Sequence, residues 1–365
     1  MPVKEERLLR VGVLGCGPIA QAAHFESCTK ARNAALHAIC DVADDLRERM
    51  AATHAPDRQY KDYDAMLADP ELEAVIIATS DPFHVPAARR ALEAGKHVLC
   101  EKPLATSVEE AESLRDVAKA SGKILQVGHM KPAARRFIDT EMGQMVALKA
   151  WYCDSTHRYL MTDAVQPLMV TSKAARKPAE NPKADLDRYY MLAHGSHLVD
   201  VARHFAGPIR AVDSRLSNRA GIRCWFVDVE FENGVLGHLD LTVAVRMDWH
   251  EGFEVQGEAG DGQQLIDLHG ENGSVIGKTY NPWYYKSSEV DIFREADGAT
   301  HRVLGADGHF YRRQLEGFAD VILKGAAMEG ADLEDGIASV RAMVAIAQSA
   351  KTGKPVRLDQ VAGPV

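Results

Sequence analysis

Short apolar runs alternate with helix-like segments along residues 1–128 of the chain. The runs predict strands at 8–15, 36–40, 73–79, 97–100 and 123–127, and the segments between them predict helices at 18–30, 44–52, 86–94 and 108–120. Each run is mostly apolar, as is expected of a strand that is buried on both faces. The regular alternation of strand and helix predicts an α/β fold, in which a doubly wound parallel sheet carries helices on both faces.

The pattern changes after Gly128, where longer stretches alternate apolar with polar residues. We expect strands at 146–152, 224–231 and 235–245, a long loop at 153–186, and helices at 186–205, 311–324 and 332–350. The strands at 224–231 and 235–245 are joined by Glu232, Asn233 and Gly234, and such an Asn-Gly pair indicates an antiparallel hairpin. Residues 129–365 are therefore predicted to form a C-terminal α+β domain with an open, mostly antiparallel sheet.

Composition and charge exclude several kinds of protein. Hydrophobic residues make up 46% and charged residues 26% of the chain, which is typical of globular proteins and not of disordered ones. A net charge of −9 disfavours nucleic acid or an anionic membrane as the partner. No apolar run is long enough to span a membrane, the N-terminus lacks a signal-peptide pattern, and the six cysteines are scattered without metal-ligand spacing. We therefore expect a cytoplasmic protein without a metal site.

A glycine-rich motif lies between the first strand and the first helix. It fits the pattern G-x-G-x-x-[G/A] and consists of Gly15, Cys16, Gly17, Pro18, Ile19 and Ala20. In this position Gly15 permits a tight turn, Gly17 lets the backbone approach a pyrophosphate, and Ala20 keeps the helix close to the strand. Asp41, at the end of the second strand, would accept hydrogen bonds from ribose hydroxyls and repel a 2′-phosphate. The motif predicts a Rossmann domain that binds NAD in preference to NADP, and the alternative is a glycine-rich turn without a ligand.

Polar residues follow the third and fourth strands as well. Thr79, Ser80 and His84 follow the third strand, and Glu101 and Lys102 follow the fourth. Because the carboxyl ends of parallel strands meet at one edge of a doubly wound sheet, we expect these residues to converge on one crevice. The plain alternative for Glu101 and Lys102 is a surface ion pair of little energetic value.

The glycine motif, residues 78–84 and the sequence Glu101-Lys102-Pro103 together resemble the Gfo/Idh/MocA family of oxidoreductases. The order and spacing match throughout the N-terminal half, although Asp81 replaces the more usual asparagine. The antiparallel half also resembles, less specifically, the family's substrate-binding and oligomerisation domain. The resemblance implies oxidation or reduction of a secondary carbinol with NAD(P), Lys102 at the reacting oxygen, and a homo-oligomer, either a dimer or a tetramer. The predicted cofactor site comprises Gly15, Gly17, Pro18, Ile19, Ala20, Asp41, Thr79, Ser80, His84, Glu101 and Lys102.

A helix with two histidines resembles the family pattern D-x-G-x-H-x-x-D. His197 and Asp200 occupy the histidine and later aspartate positions, whereas Ala193 stands where the family has its first aspartate. A proton relay that lacks this carboxylate needs another base, and His194 is the local candidate because residues three apart share a helix face. An imidazole can donate or accept a proton near neutral pH. Lys102, His197 and His194 are thus the predicted catalytic residues, and the alternative is two histidines buried between helix and sheet.

Residues before this helix are candidates to bind substrate. Lys131 and Tyr190 join His194 and His197 in the predicted substrate site, although Lys131 at the surface and Tyr190 in a core are equally good interpretations. Between residues 129 and 190 the chain carries 10 basic and 7 acidic residues, reversing the sign of the overall charge. The cations Lys131, Lys173, Arg176 and Lys183 suggest a substrate with a carboxylate, sulfonate or phosphate, and a solvated loop is the alternative.

Three functions are compatible with these residues. The preferred prediction is an NAD-dependent dehydrogenase that oxidises a secondary carbinol of a sugar, glycoside or polyol. The second is an NAD-dependent glycoside hydrolase that works by transient oxidation at C3, elimination, water addition and re-reduction, for which His194 and His197 would supply additional acid/base groups. A non-catalytic sugar sensor is the third, and the presence of Lys102 argues against it.

Overall fold

A computed structural model describes residues 7–129, 144–154, 169–243, 250–257, 274–280, 289–294, 299–304 and 310–365. The chain divides into two compact units. Unit 1 comprises Met1–Met130, Pro167–Ala184 and Gly308–Val340, and unit 2 comprises Lys131–Gln166, Asp185–Asp307 and Arg341–Val365. Two segments that the sequence analysis assigns to the second domain, Pro167–Ala184 and Gly308–Val340, thus belong to the first unit.

A sheet of unit 1 forms the doubly wound fold predicted from the apolar runs. Its parallel strands are β1 (Leu9–Leu14), β2 (Ala34–Cys40), β3 (Arg58–Tyr60), β4 (Ala74–Ile77), β5 (His97–Cys100) and β6 (Leu125–Val127). Their order across the sheet is β3-β2-β1-β4-β5-β6. The chain therefore adds strands outward from β1 in one direction up to β3 and in the other direction from β4 to β6. The point between β1 and β4, where the order reverses, is where such folds bind dinucleotides. The short strand β3 was not predicted.

The helices of unit 1 connect these strands. A π-helical turn, Ala20–His24, leads into α1 (Phe25–Lys30), and the remaining helices are α2 (Asp44–His54), α3 (Tyr63–Leu67), α4 (His84–Glu93), α5 (Val108–Glu112) and α6 (Arg115–Ser121). The helix predicted at 108–120 is two helices, and α3 was not predicted. Side chains cap two of the helices, because Asp62 accepts from the Ala65 amide and Ser107 from the Glu110 amide.

Unit 2 contains a second sheet, which is mostly antiparallel as predicted. Its strands include β7 (Met145–Cys153), β8 (Ile209–Arg219), β9 (Ile222–Phe231), β10 (Leu236–Val243), β11 (His250–Gly257), β12 (Ser274–Tyr280), β13 (Glu289–Arg294) and β14 (Ala299–Leu304). Strands β9 and β10 form the predicted hairpin, whereas β8 and β11–β14 were not predicted. One pair, β7 with β10, is parallel.

Helices cover one face of this second sheet. The helix predicted at 186–205 consists of α7 (Leu186–Tyr190), a π-helical turn (Met191–Gly195) and α8 (Ser196–Ala206). Helix α8 packs against β7, β10 and β11. The inward residues of β9 and β10, such as Trp225, Val227, Leu239 and Leu241, are almost completely buried and form the core beneath it.

The chain continues with α9 (Phe310–Lys324), β15 (Ala331–Asp332), α10 (Leu333–Thr352) and β16 (Val356–Arg357). Leu315 and Phe318 of α9 are buried in the core cluster that also contains Val11 and Val13 of β1. Strand β15 pairs antiparallel with β6 at the edge of the first sheet. These contacts explain why residues 308–340 fold with unit 1. Among the described residues, none of the helices combines the length and apolar character needed to cross a membrane.

Candidate active site

The turn after β1 has the geometry that the glycine motif predicts. Gly15 has a φ of +94°, and a Cβ atom there would lie 2.8 Å from the Ala78 carbonyl oxygen. At Gly17, a Cβ atom would meet nothing within 4 Å, so the space beside this backbone is open. Pro18 and Ile19 begin the first helical turn, and Ala20 is completely buried against the core. A tight turn that only glycine adopts easily and an open backbone beside it fit the approach of a pyrophosphate.

Asp41 lies directly after β2 and is turned toward the glycine motif. Its Oδ2 accepts from the Cys16 amide at 2.8 Å, and its Oδ1 accepts from the Ala43 amide at 2.9 Å. Arg47 lies on α2, and its guanidinium donates to the Asp41 carbonyl oxygen and to Asp44. The carboxylate is therefore fixed at the strand end where a dinucleotide places its adenosine ribose.

The segment after β4 is held by a buried histidine. His84 has 1% of its surface exposed, and its ring nitrogens lie 2.7 Å from the Pro103 carbonyl oxygen and 3.0 Å from the Thr79 carbonyl oxygen. Burial lowers the pKa of His84, but Cys100, Asp81 and the Pro103 carbonyl outweigh it and raise the pKa to about 10. Two carbonyl acceptors require two N–H donors, so the ring is cationic. Both nitrogens are used within the protein, and His84 connects the segment that contains Thr79 with the segment that contains Pro103.

Thr79 and Ser80 lie between β4 and this histidine. Ser80 is exposed. The Thr79 hydroxyl oxygen is buried and has no hydrogen-bond partner among the described residues. A buried hydroxyl normally finds a partner, so this atom fits a site that a ligand completes. Together with the open space at Gly17, it supports the fit of a dinucleotide at this edge.

Glu101 forms a buried pair that the sequence analysis missed. Its Oε1 lies 2.8 Å from Nε2 of His24, and the side chains are only 6% and 3% exposed. Burial raises the pKa of Glu101, but the hydrogen bond from His24 and the nearby Lys102 and His84 side chains outweigh it, and the net pKa is lowered. His24 lies in the π-helical turn and makes an edge-to-face contact with Tyr311 of α9. The pair connects the end of β5 to the helix that follows the glycine motif.

Lys102 comes next along the chain and is half-buried. Its backbone amide donates to Oε2 of Glu101 at 3.2 Å, and its peptide bond to Pro103 is cis. Gly128 fits tightly behind this turn, since a Cβ atom there would lie 3.2 Å from Cα of Glu101. The Glu101 carboxylate thus holds the backbone of the turn from which the Lys102 side chain extends.

Residues 169–176, which we call the strap, contact the segments of unit 1 that follow strands of the parallel sheet. Gln21 donates through Nε2 to the carbonyl oxygens of Cys16 and Val170, and its Oε1 accepts from the Val170 amide, each at 2.9 Å. The Ser172 hydroxyl donates to Asp45 on α2 at 2.6 Å. The Arg176 guanidinium lies 4.3 Å from the centre of the Phe83 ring. The strap therefore contacts the segments that follow β1, β2 and β4.

The cations that suggest an anionic substrate fall into two groups. Lys173, Arg176 and Lys183 are exposed side chains of unit 1. Lys131, a predicted substrate-binding residue, lies outside the described residues.

In unit 2, the two predicted histidines surround the end of β7. Nε2 of His194 lies 3.1 Å from Oδ2 of Asp154, the residue after this strand. The buried Tyr152 ring stacks on His197, with centroids 5.6 Å apart, and lies 5.1 Å from His194 at a 32° tilt. Asp200 is also buried. The structure thus brings His194 and His197 together around one tyrosine and adds a carboxylate, Asp154, that the sequence analysis did not select.

Tyr190 belongs to the same cluster. Its ring is stacked on His194 with centroids 6.0 Å apart, and the Arg223 guanidinium lies 5.8 Å from its centre. Arg223 in turn pairs with Asp187 of α7. The cluster contains an aromatic surface, an imidazole and a carboxylate, which are groups suited to a polar ring such as a sugar.

Metal-ligating geometry occurs elsewhere in the part of the chain that the structure describes. There, His37, Asp69 and Glu71 of unit 1 are the group of side chains able to converge on one ion. His37 already hydrogen-bonds to Asp57 and, at 2.8 Å, to Asp69. Burial raises the pKa of Asp69, but hydrogen bonds from the Glu71 amide, His37 and Tyr60 outweigh it and lower the pKa to about 2. These contacts are those of a structural network.

Comparison with known proteins identifies the class to which the chain belongs. Residues 9–129 match the model of the Gfo/Idh/MocA oxidoreductase family that describes its NAD-binding Rossmann fold. Residues 190–358 match the model of the same family's C-terminal alpha/beta domain. The chain therefore belongs to the Gfo/Idh/MocA family, and it is an oxidoreductase with an NAD-binding Rossmann domain. The predicted family, fold class and NAD cofactor are confirmed at this level.

Individual relatives agree with this assignment. Inositol 2-dehydrogenase 2 of Saccharopolyspora erythraea is 30% identical over 319 residues, which cover 82% of this chain and 87% of that protein. The 1,5-anhydro-D-fructose reductase of Ensifer adhaerens is 26% identical over 309 residues, covering 80% and 82%. The solved structure of levoglucosan dehydrogenase in complex with NADH and L-sorbose has a TM-score of 0.72 at 20% identity, covers 97% of this chain and 100% of that one, and shows the same fold.

Proposed function

We propose that the protein is an NAD-dependent dehydrogenase that acts on a secondary carbinol of a sugar, glycoside or polyol. The observation that carries the proposal is the position of Lys102, directly after β5 at the carboxyl edge of an NAD-binding Rossmann sheet. Ligands of such sheets bind at this edge. The ammonium group of a lysine is a donor that can hold a hydroxyl or carbonyl oxygen at the reacting carbon.

The chemistry assigns separate tasks to the cofactor and to the side chains. NAD, when bound, supplies the redox chemistry. The carbinol O–H must lose its proton as the carbon–oxygen double bond forms, and positioned acid/base side chains accelerate such transfers. We assign the reacting oxygen to Lys102 and the proton to His197 and His194. Residues Gly15, Gly17, Asp41 and Thr79 hold the dinucleotide.

The substrate class follows from the named relatives. Two of them are named as acting on inositol and on 1,5-anhydro-D-fructose, both of which are ring polyols or sugars. The aromatic and polar cluster around Tyr190 and His194 suits a ligand of this kind. We therefore propose a sugar or cyclic polyol as the substrate.

The preference for NAD over NADP rests on Asp41. A 2′-phosphate on the adenosine ribose would bring two negative charges to a fixed carboxylate, and close like charges repel. The neighbouring cation, Arg47, is held by the Asp41 carbonyl oxygen and by Asp44. Asp41 and Arg47 in this arrangement favour the unphosphorylated ribose.

A redox-neutral glycoside hydrolase is the second candidate. It needs more acid/base groups than a dehydrogenase, because a proton must leave C2 and the aglycone must be protonated as it departs. The pair of Asp154 and His194 is the observation in its favour. An anionic sugar is the finer proposal for either activity, and it rests on the exposed cations Lys173, Arg176 and Lys183.

One experiment separates these activities. The protein is incubated with NAD and a panel of neutral and anionic sugars, cyclic polyols and aryl glycosides, while NADH absorbance and aglycone release are followed together. The dehydrogenase proposal predicts accumulation of NADH in proportion to the oxidised sugar. Aglycone release without net NADH would replace it with the hydrolase, and equal turnover of neutral and anionic substrates at low salt would contradict the anionic preference.

A further inference from the structure

We propose that Asp154 supplies, from the end of β7, the carboxylate that the histidine helix lacks at Ala193, and that it acts as a positioning residue for His194. The inference rests on the proposed function for the role of His194 in proton transfer. The contact between Asp154 and His194 lies within unit 2 and is independent of the proposed function.

The first argument is the location of Asp154. Its side chain is 4% exposed, and its Oδ2 lies 3.1 Å from Nε2 of His194. Its backbone amide donates to the Thr242 carbonyl oxygen at 2.9 Å, so the residue is fixed beside β10. Leu148, Ala150 and Tyr152 form the inward face of β7, and Asp154 continues this alternation. A carboxylate on the buried face of a strand is costly unless it is paired, and His194 is the pair.

The second argument is the environment that orients the His194 imidazole. His194 is 13% exposed and lies in the π-helical turn between α7 and α8. Such turns occur often at functional sites. The ring centres of Tyr152 and Tyr190 lie 5.1 Å and 6.0 Å from the centre of this imidazole. With the carboxylate at Nε2, the aromatic contacts leave the ring little freedom to rotate.

The third argument is the chemistry that this geometry selects. An ionised carboxylate can accept hydrogen bonds but cannot donate them. A neutral His194 ring beside Asp154 therefore carries its proton on Nε2 and its lone pair on Nδ1. That lone pair takes the carbinol proton: the O–H bond breaks, its electrons stay on oxygen, and an N–H bond forms at Nδ1. The resulting imidazolium is balanced by the Asp154 carboxylate, and the oxidant is the NAD of the proposed function. The aspartate holds one tautomer in the productive orientation, as in other carboxylate–histidine pairs.

The second carboxylate oxygen of Asp154 is a further argument for a substrate site here. Oδ1 of Asp154 is buried and lacks a hydrogen-bond partner within the described parts of the chain. Buried carboxylate oxygens are normally satisfied. A substrate hydroxyl beside His194 would satisfy it, which places Asp154 at the border of the proposed substrate site.

The chain offers a matched control. Nδ1 of His238 lies 2.8 Å from Oδ1 of Asp228 in the same sheet, but these side chains are 40% and 80% exposed. An exposed pair of this kind contributes little. Asp228→Asn therefore removes a histidine–carboxylate contact of similar length without touching the proposed site.

The first test reads the tautomer without using activity. Long-range proton–nitrogen NMR spectra of protein labelled with ¹⁵N-histidine are recorded at a pH where the ring is neutral, and the His194 signals are assigned from a His194→Asn variant. We expect the Nε2–H tautomer in the wild type, and a shift toward the other tautomer in Asp154→Asn but not in Asp228→Asn. An Nδ1–H tautomer in the wild type, or identical spectra in Asp154→Asn, would overturn the proposal. A substrate-free spectrum remains informative even if the proposed function is wrong.

The second test uses any substrate found with the panel. We expect kcat of Asp154→Asn to fall on the order of 10²-fold, as for loss of acid/base assistance, while the dissociation constant for NADH stays unchanged. Asp154→Glu keeps the carboxylate and should recover part of kcat. Unchanged kcat in Asp154→Asn, or no recovery in a folded Asp154→Glu, would contradict the positioning role.

Discussion

Gly15 shows at the scale of a single residue how the dinucleotide edge depends on backbone shape. With a φ of +94° and the Ala78 carbonyl oxygen 2.8 Å from a Cβ position, alanine would meet both torsional strain and a clash. Gly15→Ala should lower the free energy of unfolding by about 1–3 kcal/mol. Urea denaturation of apo protein measures this difference.

Gly17 provides the control, because its Cβ would enter open space. Gly17→Ala should change the free energy of unfolding by less than about 1 kcal/mol, yet weaken NADH binding because the methyl group occupies the space proposed for the pyrophosphate. Fluorescence titration with NADH measures the affinity. Equal stability losses in the two variants, or full NADH affinity in Gly17→Ala, would contradict this account of the turn.

Asp69 makes a prediction about acid stability. Its pKa is lowered from 3.8 to about 2, so it stabilises the fold above pH 4 and this contribution disappears as the pH falls through about 2. A shift of this size corresponds to roughly 2 kcal/mol. The stability difference between the wild type and Asp69→Asn should therefore be larger at pH 6 than at pH 2.5. A difference that stays constant or grows toward low pH would show that the carboxylate is not held by His37 and Tyr60.

What the sequence could show at this scale is limited to local motifs. Gly15, Gly17 and Asp41 lie in a pattern whose spacing carries its own geometry. His24 and Asp154 were missed because their partners are distant: His24 is 77 residues from Glu101, and Asp154 is 40 residues from His194. One signal was available for Asp154, since an aspartate continues the inward alternation of a predicted strand.

Elements were predicted where the apolar pattern was strong. Strands β1, β2, β4, β5 and β6 of the first sheet and the β9–β10 hairpin agree with the prediction because their periodicity and turn chemistry are local. Two predicted helices contain π-helical turns, Ala20–His24 and Met191–Gly195. Each turn is only five residues long, too short for its change in helical phase to stand out in the apolar pattern, so the sequence could not reveal these turns. They contain His24 and His194.

The strap shows how an element without periodicity can be ordered by side chains. Gln21→Ala removes three hydrogen bonds, two of them to Val170. Losing them should lower the free energy of local opening by about 1–3 kcal/mol, so that exchange of the Val170 amide accelerates roughly 10- to 100-fold. Hydrogen exchange measured by mass spectrometry on peptides covering 169–184 tests this.

Ser172→Ala is the comparison for this variant, because it removes two hydrogen bonds, one to the exposed Asp45 and one from the Ala174 amide, and neither of them involves Val170, so it should accelerate exchange of the Val170 amide less. If Gln21→Ala leaves exchange over 169–184 unchanged, the glutamine does not hold the strap in place. Of the long loop predicted at 153–186, the described residues 169–185 form neither helix nor strand, and the contacts of the strap with unit 1 depend on residues far away in the sequence.

At the scale of the whole molecule, two units contain different residues of the proposed active site. Unit 1 combines the turn after β1, Asp41 and Lys102 at one edge of a Rossmann sheet. Unit 2 holds His194, His197 and Asp154 around Tyr152. A division near residue 128 could be predicted because the periodicity changes there. The return of residues 308–340 to unit 1 could not, since it depends on α9 packing into a core built from residues near the N-terminus.

The central claim is that Lys102 serves an NAD-dependent oxidation of a carbinol. The most direct measurement is the initial rate of NADH formation at 340 nm with the best substrate of the panel, compared among the wild type, Lys102→Ala and Lys119→Ala, an exposed lysine on α6. Loss of a positioned acid/base group predicts a fall in kcat of at least about 10²-fold in Lys102→Ala, with Lys119→Ala unaffected. Wild-type rates in Lys102→Ala would contradict the account.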